Sequence, residues 1–434
     1  MHTPVFAPHL GRVQRTHYLA PFRPPVMTFP LRLKSVFVLL PLLTFVVYVV
    51  LLRTPQLNYF RDLAEAFLDG RLHLENITST HDLVFYEGKY YPYWPPAPAL
   101  VWLPIDFLTH RTLADGLVSS AAGALNVWLL LQFCRQLSQC FKWELSTKEL
   151  AAIGLFWAFG TVHFYLASSG NTWFFAQTIA QTFLLGSLYL FSKGNRWFLA
   201  GLCFAGAVYS RNNLLLALFA FLALYAAGWS KEGWKPFFRR ALLFGIPLLL
   251  ATALNCWYNY ARFGDPFENG LQYHLMDPHF QQNFEQHGYF SIVYLPYNFW
   301  VEVLKPPPLT WVPPFIKPDP EGFGMPWASP LLMLVVPATW VWIFHRPTSL
   351  VQKQNRLFAG GSLLSAIAIG LVIFLVMGTG WRQFGARYTL DFQVFVLLFI
   401  LCAWPTIRQW KGSYPIAGGL LLLSIVVEAI GVRL

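Results

Sequence analysis

The feature that most limits this 434-residue chain is its succession of long apolar runs. They sit near residues 35–52, 113–134, 149–167, 172–191, 197–228, 241–258, 330–345, 357–377, 388–404 and 414–432. Most approach the roughly 20 apolar residues that a helix needs to cross the hydrocarbon layer. A segment in lipid must satisfy its own backbone, as a helix or as a closed barrel does. These runs do not alternate as barrel strands would, so they are helices. Only 12% of the residues are charged, about half of the soluble norm of about a quarter. That excludes an ordinary cytosolic enzyme, a disordered chain and a secreted disulfide scaffold. The expected fold class is all-α, a polytopic membrane protein of about 10–12 transmembrane helices.

The charges that remain are sorted by side. The net charge of +11 resembles a nucleic-acid signal until its residues are located. Arg12, Arg15, Arg23, Arg32 and Lys34 precede the first apolar run with no acid among them. A basic flank of this kind stays in the cytoplasm, and no small-residue cleavage site follows, so the first run reads as an uncleaved anchor. With the 197–228 stretch crossing twice as a hairpin around Ser210, Arg211, Asn212 and Asn213, the inside segments hold 19 of the 31 basic residues. The outside segments 53–94 and 261–329 hold 13 of the 20 acids. The positive-inside rule gives this split, placing the N-terminus in the cytoplasm. The expected division is a basic tail over 1–34 and one integral-membrane domain over 35–434. The stretch 95–111 is apolar, but its four prolines and short length favour a membrane-embedded or interfacial helix on the outer side. The outer loops are then 53–112 and 261–329.

The first outer segment opens with a helical pattern. Phe60, Leu63, Ala64, Phe67 and Leu68 form one stripe, with Arg61, Asp62, Glu65 and Asp69 off it. This predicts an amphipathic helix on the membrane surface, stopped by Gly70. The second outer segment is rich in Pro, Tyr, Trp and acids, and it is too long for a simple connector. The five cysteines (134, 140, 203, 256 and 402) show no ligand spacing and read as small core residues.

An enzyme acting at the outer surface on a lipid-linked phosphate needs cations for the phosphate, a carboxylate to accept a proton, and aromatic walls. Cations favour the departing phosphate because its negative charge grows during transfer, and the arginine fork meets two phosphate oxygens at once. The candidate cations are Lys89, Arg211, Arg262, Arg382 and Arg387. Arg211 interrupts an apolar stretch, where an arginine either snorkels to the interface or faces a polar cavity. The candidate bases are Asp62, Glu65 and Asp82, with Asp265, Glu268 and Asp391 behind them; solvated surface charge is the bland reading of each. Asp391 lies one turn from Arg387 and could pair with it. In YEGKYYPYW (86–94), Tyr90, Tyr91 and Trp94 could line a sugar, although interfacial aromatic belts explain much of such a segment. Asp319 and Glu321 form a weak metal pair, and no histidine spacing supports metal ligands.

Five stretches together resemble the bacterial integral-membrane glycosyltransferases of the GT-C superfamily, near the dolichyl-phosphate-mannose-protein mannosyltransferase-like families. They are LAEAFLDGRLHL (63–74), DLVFYEGKYYPYWPPAPALVWLP (82–104), SRNN (210–213), NYARFGDPFENG (259–270) and GWRQFGARYTLDF (380–392). The resemblance implies a polyprenyl-phosphate-sugar donor, inverting transfer on the outer face, and an acidic catalytic residue in the first outer loop. Asp62, Glu65 and Asp82 are then the catalytic candidates. Lys89, Tyr90, Tyr91, Trp94, Arg211, Arg262, Arg382 and Arg387 are the substrate-binding ones. The family's usual acidic position at the start of the first surface helix is held here by Asn58-Tyr59. The expected partners are the polyprenyl-phosphate sugar and membrane lipid, with no nucleic acid. No cofactor is certain, a divalent metal is one option, and no metal ligands are assigned. The alternatives are a polytopic transporter or flippase, and a non-catalytic membrane protein of envelope assembly.

Overall fold

A computed structural model describes residues 31–53, 57–229 and 232–433. The basic residues Arg12, Arg15 and Arg23 of the expected tail lie outside the described residues. The chain opens with helix α1 (Leu31–Val50), followed by α2 (Tyr59–Leu68), a hairpin of β1 (Leu83–Tyr86) and β2 (Lys89–Pro92), and α3 (Ala97–Thr109). The bundle then runs through α4 (Asp115–Phe141), α5 (Thr147–Phe159), α6 (His163–Ala167), α7 (Thr172–Ser192), α8 (Trp197–Val208), α9 (Leu218–Trp229) and α10 (Trp234–Phe263). The second long loop carries α11 (Pro278–His287), α12 (Leu295–Phe299) and α13 (Met325–Ala328). The chain closes with α14 (Val335–Phe344), α15 (Leu350–Phe374), α16 (Leu390–Ile407) and α17 (Ser413–Arg433).

Among the described residues, seven helices are long and apolar enough to cross a membrane, and four shorter apolar helices accompany them. Their burial sorts them. The 387–407 helix is buried along 89% of its most apolar window and 172–192 along 78%. The windows in 234–263 and 413–433 are buried along only 17% and 22%. A helix that is apolar all round yet exposed needs lipid as its solvent. This is an all-α polytopic membrane protein.

Close helix approach uses small residues, as membrane packing requires where apolar side chains gain nothing over lipid. A Cβ on Gly201 of α8 would run into the backbone carbonyl of Phe244 on α10, and one on Gly361 of α15 into Ala223 on α9. The 197–228 stretch forms the expected hairpin. Trp197 and Trp229 meet at 5.1 Å between ring centroids, Phe204 and Phe221 at 5.0 Å, and Arg211 lies in the bend between the arms. The 149–167 run is broken instead into α5 and α6 around Gly160 and Thr161. Helix α3 has 13 residues, about 20 Å at 1.5 Å per residue, and is too short to cross. It packs on α2.

Two features of the first loop differ from the sequence expectation. Arg61 is 8% exposed rather than on a solvated face. It donates to Asp106 through Nε and Nη2 (3.1 and 2.8 Å), pairs with Asp115, and donates to the Leu113 carbonyl, so it ties α2 to α3 and α4. Asn58 caps α2, accepting from the Arg61 amide while donating to Asp115 at 2.8 Å. The second difference is the β-hairpin, which turns on Glu87 and Gly88, both at positive φ. Successive positive φ values suit the twist of a two-residue hairpin turn.

Candidate active site

The hairpin positions the site by pairing with the second long loop. Val84 and His274 form a bridge, the Leu275 amide donates to the Leu83 carbonyl at 2.8 Å, and the Asp82 amide donates to the Leu275 carbonyl at 3.2 Å. Chain segments nearly 200 residues apart thus meet at Asp82. Above the bundle lies a cavity of about 1090 Å³. Its walls come from the first loop (His81, Asp82, Tyr93, Trp94), the tip of the α8–α9 hairpin (Ser210–Asn213), the second loop (His274, Asp277, Tyr289) and the segment before α16 (Arg382, Arg387, Tyr388).

Of the sequence candidates, Asp82, Trp94, Arg211, Arg382 and Arg387 line this cavity. Arg211 is a fixed cation. Its Nε and Nη2 donate to Asp391 Oδ2 at 2.9 and 2.7 Å, and Asn213 donates to the same oxygen at 2.8 Å. Asp391, whose side chain is 0% exposed, therefore pairs with Arg211 and not with Arg387 one turn before it. Arg387 donates to Gln177 Oε1 and to the Tyr388 hydroxyl, both at 3.3 Å, while its Nε has no hydrogen-bond partner. Arg382 sits at φ 52°, a left-handed conformation uncommon for a residue with a Cβ.

Asp82 is held from several sides. It too adopts positive φ (61°), a conformation that Asp tolerates better than most residues and that repays inspection. Its Oδ2 accepts from Trp173 Nε1 at 3.0 Å. His81 Nε2 lies 3.8 Å from that oxygen, and His274 Nε2 lies 3.5 Å from Oδ1. Burial pushes the Tyr289 hydroxyl up to about 12 and Tyr93 well above its ordinary value. Both phenols keep their protons near neutral pH and serve as hydrogen-bond donors rather than bases.

The remaining sequence candidates lie elsewhere. Asp62 and Glu65 both pair with Arg111, Asp62 at 3.1 Å, on an exposed edge outside the cavity lining. Lys89 is exposed beside the hairpin turn. Tyr90 packs on Phe85 (4.9 Å), and Tyr91 packs edge-on to Phe263 (5.5 Å). Arg262 is 6% exposed and braces the hairpin, donating to the Pro92 carbonyl at 2.9 Å and Asn259 Oδ1 at 2.8 Å. Asp265 and Glu268 accept from nearby backbone amides of their own turn. Asp319 and Glu321 both face Lys305 Nζ, at 2.7 and 3.6 Å. Among the described residues no three His, Cys, Asp or Glu side chains gather as a metal site.

The sequence reading passed over Arg53, Trp173, His274 and Tyr289, all of which line the cavity. It also passed over Glu428, fully buried within α17. Arg53 ends the first apolar run, where a basic residue reads as a span flank. Its guanidinium instead lies 3.7 Å over the Tyr165 ring and donates to the Tyr165 carbonyl at 2.5 Å.

No family model matches the chain, and no curated protein matches it. Among solved structures it is similar to the crystal structure of ArnT from Cupriavidus metallidurans bound to undecaprenyl phosphate. That likeness has a TM-score of 0.49 at 14% identity, over 90% of this chain and 62% of the other. The chain thus spans less than two thirds of the length of that protein.

Proposed function

We propose that the chain is a membrane glycosyltransferase that moves a sugar from a polyprenyl-phosphate-linked donor to an acceptor hydroxyl at the outer face of a bacterial inner membrane. One observation carries the reading: a carboxylate, Asp82, shares a cavity with Arg53, Arg211, Arg382 and Arg387. Those are the parts that glycosyl transfer from a phosphate needs. The sequence stretches that resemble GT-C enzymes supply the cavity's Asp82, Arg211 and Arg387, and the charge sidedness places the loops outside.

In this reading Arg382 and Arg387 bind the phosphate oxygens, with Arg211 held in place by Asp391. Trp94 and Tyr93 line the sugar. Asp82 accepts the acceptor's hydroxyl proton as that oxygen bonds to the anomeric carbon. The bond from the anomeric carbon to the phosphate oxygen breaks, its electron pair stays with the phosphate, and the arginines stabilise the charge that develops. Asp62 and Glu65 take no part.

The test is transfer from radiolabelled polyprenyl-phosphate sugars, hexosyl and pentosyl, by the protein reconstituted in vesicles. Asp82→Asn lowers the rate by about 10²–10⁴-fold while binding of undecaprenyl phosphate persists. The paired control Asp62→Asn/Glu65→Gln transfers normally. An Asp82→Asn protein with full activity would overturn the assignment.

A further inference from the structure

His274 is the group in the cavity whose arrangement the proposed reaction leaves unused. Its side chain is only 3% exposed, and neither ring nitrogen has a hydrogen-bond partner. A buried imidazole without partners is expensive to keep. Its ring packs against Tyr93 with centroids 4.3 Å apart and planes tilted by 51°, and its Nε2 lies 3.5 Å from Asp82 Oδ1. The backbone bridge between Val84 and His274, with the Leu275–Leu83 and Asp82–Leu275 hydrogen bonds, sets this register. Asp82 Oδ2 is occupied by Trp173 Nε1, a donor that can take no proton. The carboxylate therefore has one oxygen fixed by a pure donor and the other facing a nitrogen able to accept.

We propose that His274 is the positioning residue that resets Asp82, taking from its Oδ1 the proton that Asp82 has removed from the acceptor. The inference rests on the glycosyltransferase reading. When the new glycosidic bond has formed and the polyprenyl phosphate has left with its electron pair, the acceptor's proton resides on Asp82. It passes to His274 Nε2, Asp82 returns to its ionised form, and the imidazolium releases the proton to water in the cavity. The separation of 3.5 Å exceeds a hydrogen bond and closes with a small rotation of either side chain; such contacts often tighten only when substrate is bound. Asp82 and Tyr93 contact the His274 ring directly. The ionisable groups that share the cavity with it include His81 from the first loop, Asp277 from its own segment, Tyr289 from the second loop, Arg211 from the hairpin tip, and Arg53, Tyr165, Arg382, Arg387 and Tyr388. His81 lies at a similar distance from Asp82, but its side chain is 43% exposed, so it is the natural control.

The experiment is the pH dependence of transfer by the reconstituted full-length protein and by His274→Gln, whose amide can occupy the Nε2 position without taking up a proton. The wild-type rate rises from acid to neutral pH, because only an uncharged imidazole can take up the proton. His274→Gln loses that limb and runs about tenfold slower, while His81→Gln keeps the limb. Undecaprenyl phosphate binding by His274→Gln stays unchanged, which separates the relay from a structural role. A His274→Gln profile with the wild-type limb overturns the proposal, as does a wild-type profile flat through that range. The wild-type profile decides even if His274→Gln fails to fold. If wild type transfers no sugar at all, the glycosyltransferase reading fails first.

Discussion

Replacing Arg211 tests both the site and the bundle beneath it, and the two effects can be separated. Asp391 is 0% exposed on its side chain and, among the described residues, Arg211 is its ion-pair partner, through two hydrogen bonds at 2.9 and 2.7 Å. Arg211→Met leaves the buried carboxylate with two neutral amides, Asn213 at 2.8 Å and Gln177 at 3.5 Å. Removing one partner of a buried pair costs about 3–5 kcal/mol, far more than a surface pair of about 0–1 kcal/mol. The double variant Arg211→Met/Asp391→Leu removes both charges and leaves Asn213 short of one acceptor, a cost of about 1–2 kcal/mol. The double variant is therefore more stable than the single one by about 1–4 kcal/mol. Unfolding in mixed micelles, followed by tryptophan fluorescence, reads these differences. Both variants lose phosphate binding, because Arg211 is gone from the cavity in each. A single variant costing under about 1 kcal/mol, or a double variant no more stable than the single one, refutes the argument. A stable double variant without transfer isolates the role of Arg211 in the reaction.

Arg61 follows the same logic away from the cavity. Arg61→Ala strands Asp106, whose side chain is 1% exposed, and lowers stability by about 3–5 kcal/mol, whereas Arg61→Met/Asp106→Leu regains most of it in thermal unfolding. Glycines provide a contrast between packing and propensity. Gly201→Ala collides with the Phe244 backbone and costs about 1–3 kcal/mol. A Cβ on Gly418 of α17 meets nothing within 4 Å, so Gly418→Ala stabilises by about 0.5–1 kcal/mol. The same unfolding measurement ranks the two.

Hydropathy made the spans legible because burial in lipid is a local property, written run by run. The 172–191 run is the helix Thr172–Ser192, and the 388–404 run lies within the span Arg387–Ile407. The polar break at Ser210–Asn213 marked the hairpin for the same reason. Partnerships were not legible, because a side chain's partner lies across the bundle rather than along the helix. Asp391 was one turn from Arg387, yet its cation is 180 residues away. Arg61 was off the apolar stripe and read as solvated, but its partners Asp106 and Asp115 are 45 and 54 residues downstream. No spacing could mark His274, since only the pairing of two distant loops brings it to Asp82. The motif residues around the hairpin divide in the same way. Alternation along β2 sends Tyr91 to the Phe263 cluster, while Tyr93 and Trp94, beyond the strand, reach the cavity.

The distribution of polar groups also bears on the transporter alternative. A conduction path requires polar groups that continue through the membrane from one mouth to the other. Here Asp391, fully buried behind the cavity's Arg211, is neutralised by Arg211 and hydrogen-bonded by Asn213. Below it, α16 continues through Gln393 and then Val394, Phe395, Val396, Leu397, Leu398 and Phe399, all buried. Other polar groups, Glu428 and the His163–Asn126–Tyr48 network, are 0% exposed. They are enclosed by α1, α4, α6 and α17 and do not line the cavity. A buried apolar stretch of α16 behind a cavity of arginines, carboxylates and aromatic walls suits a substrate that arrives, reacts and leaves on the same side. It is a poor start for a cargo that must cross, and this asymmetry, more than any single residue, favours transfer over transport.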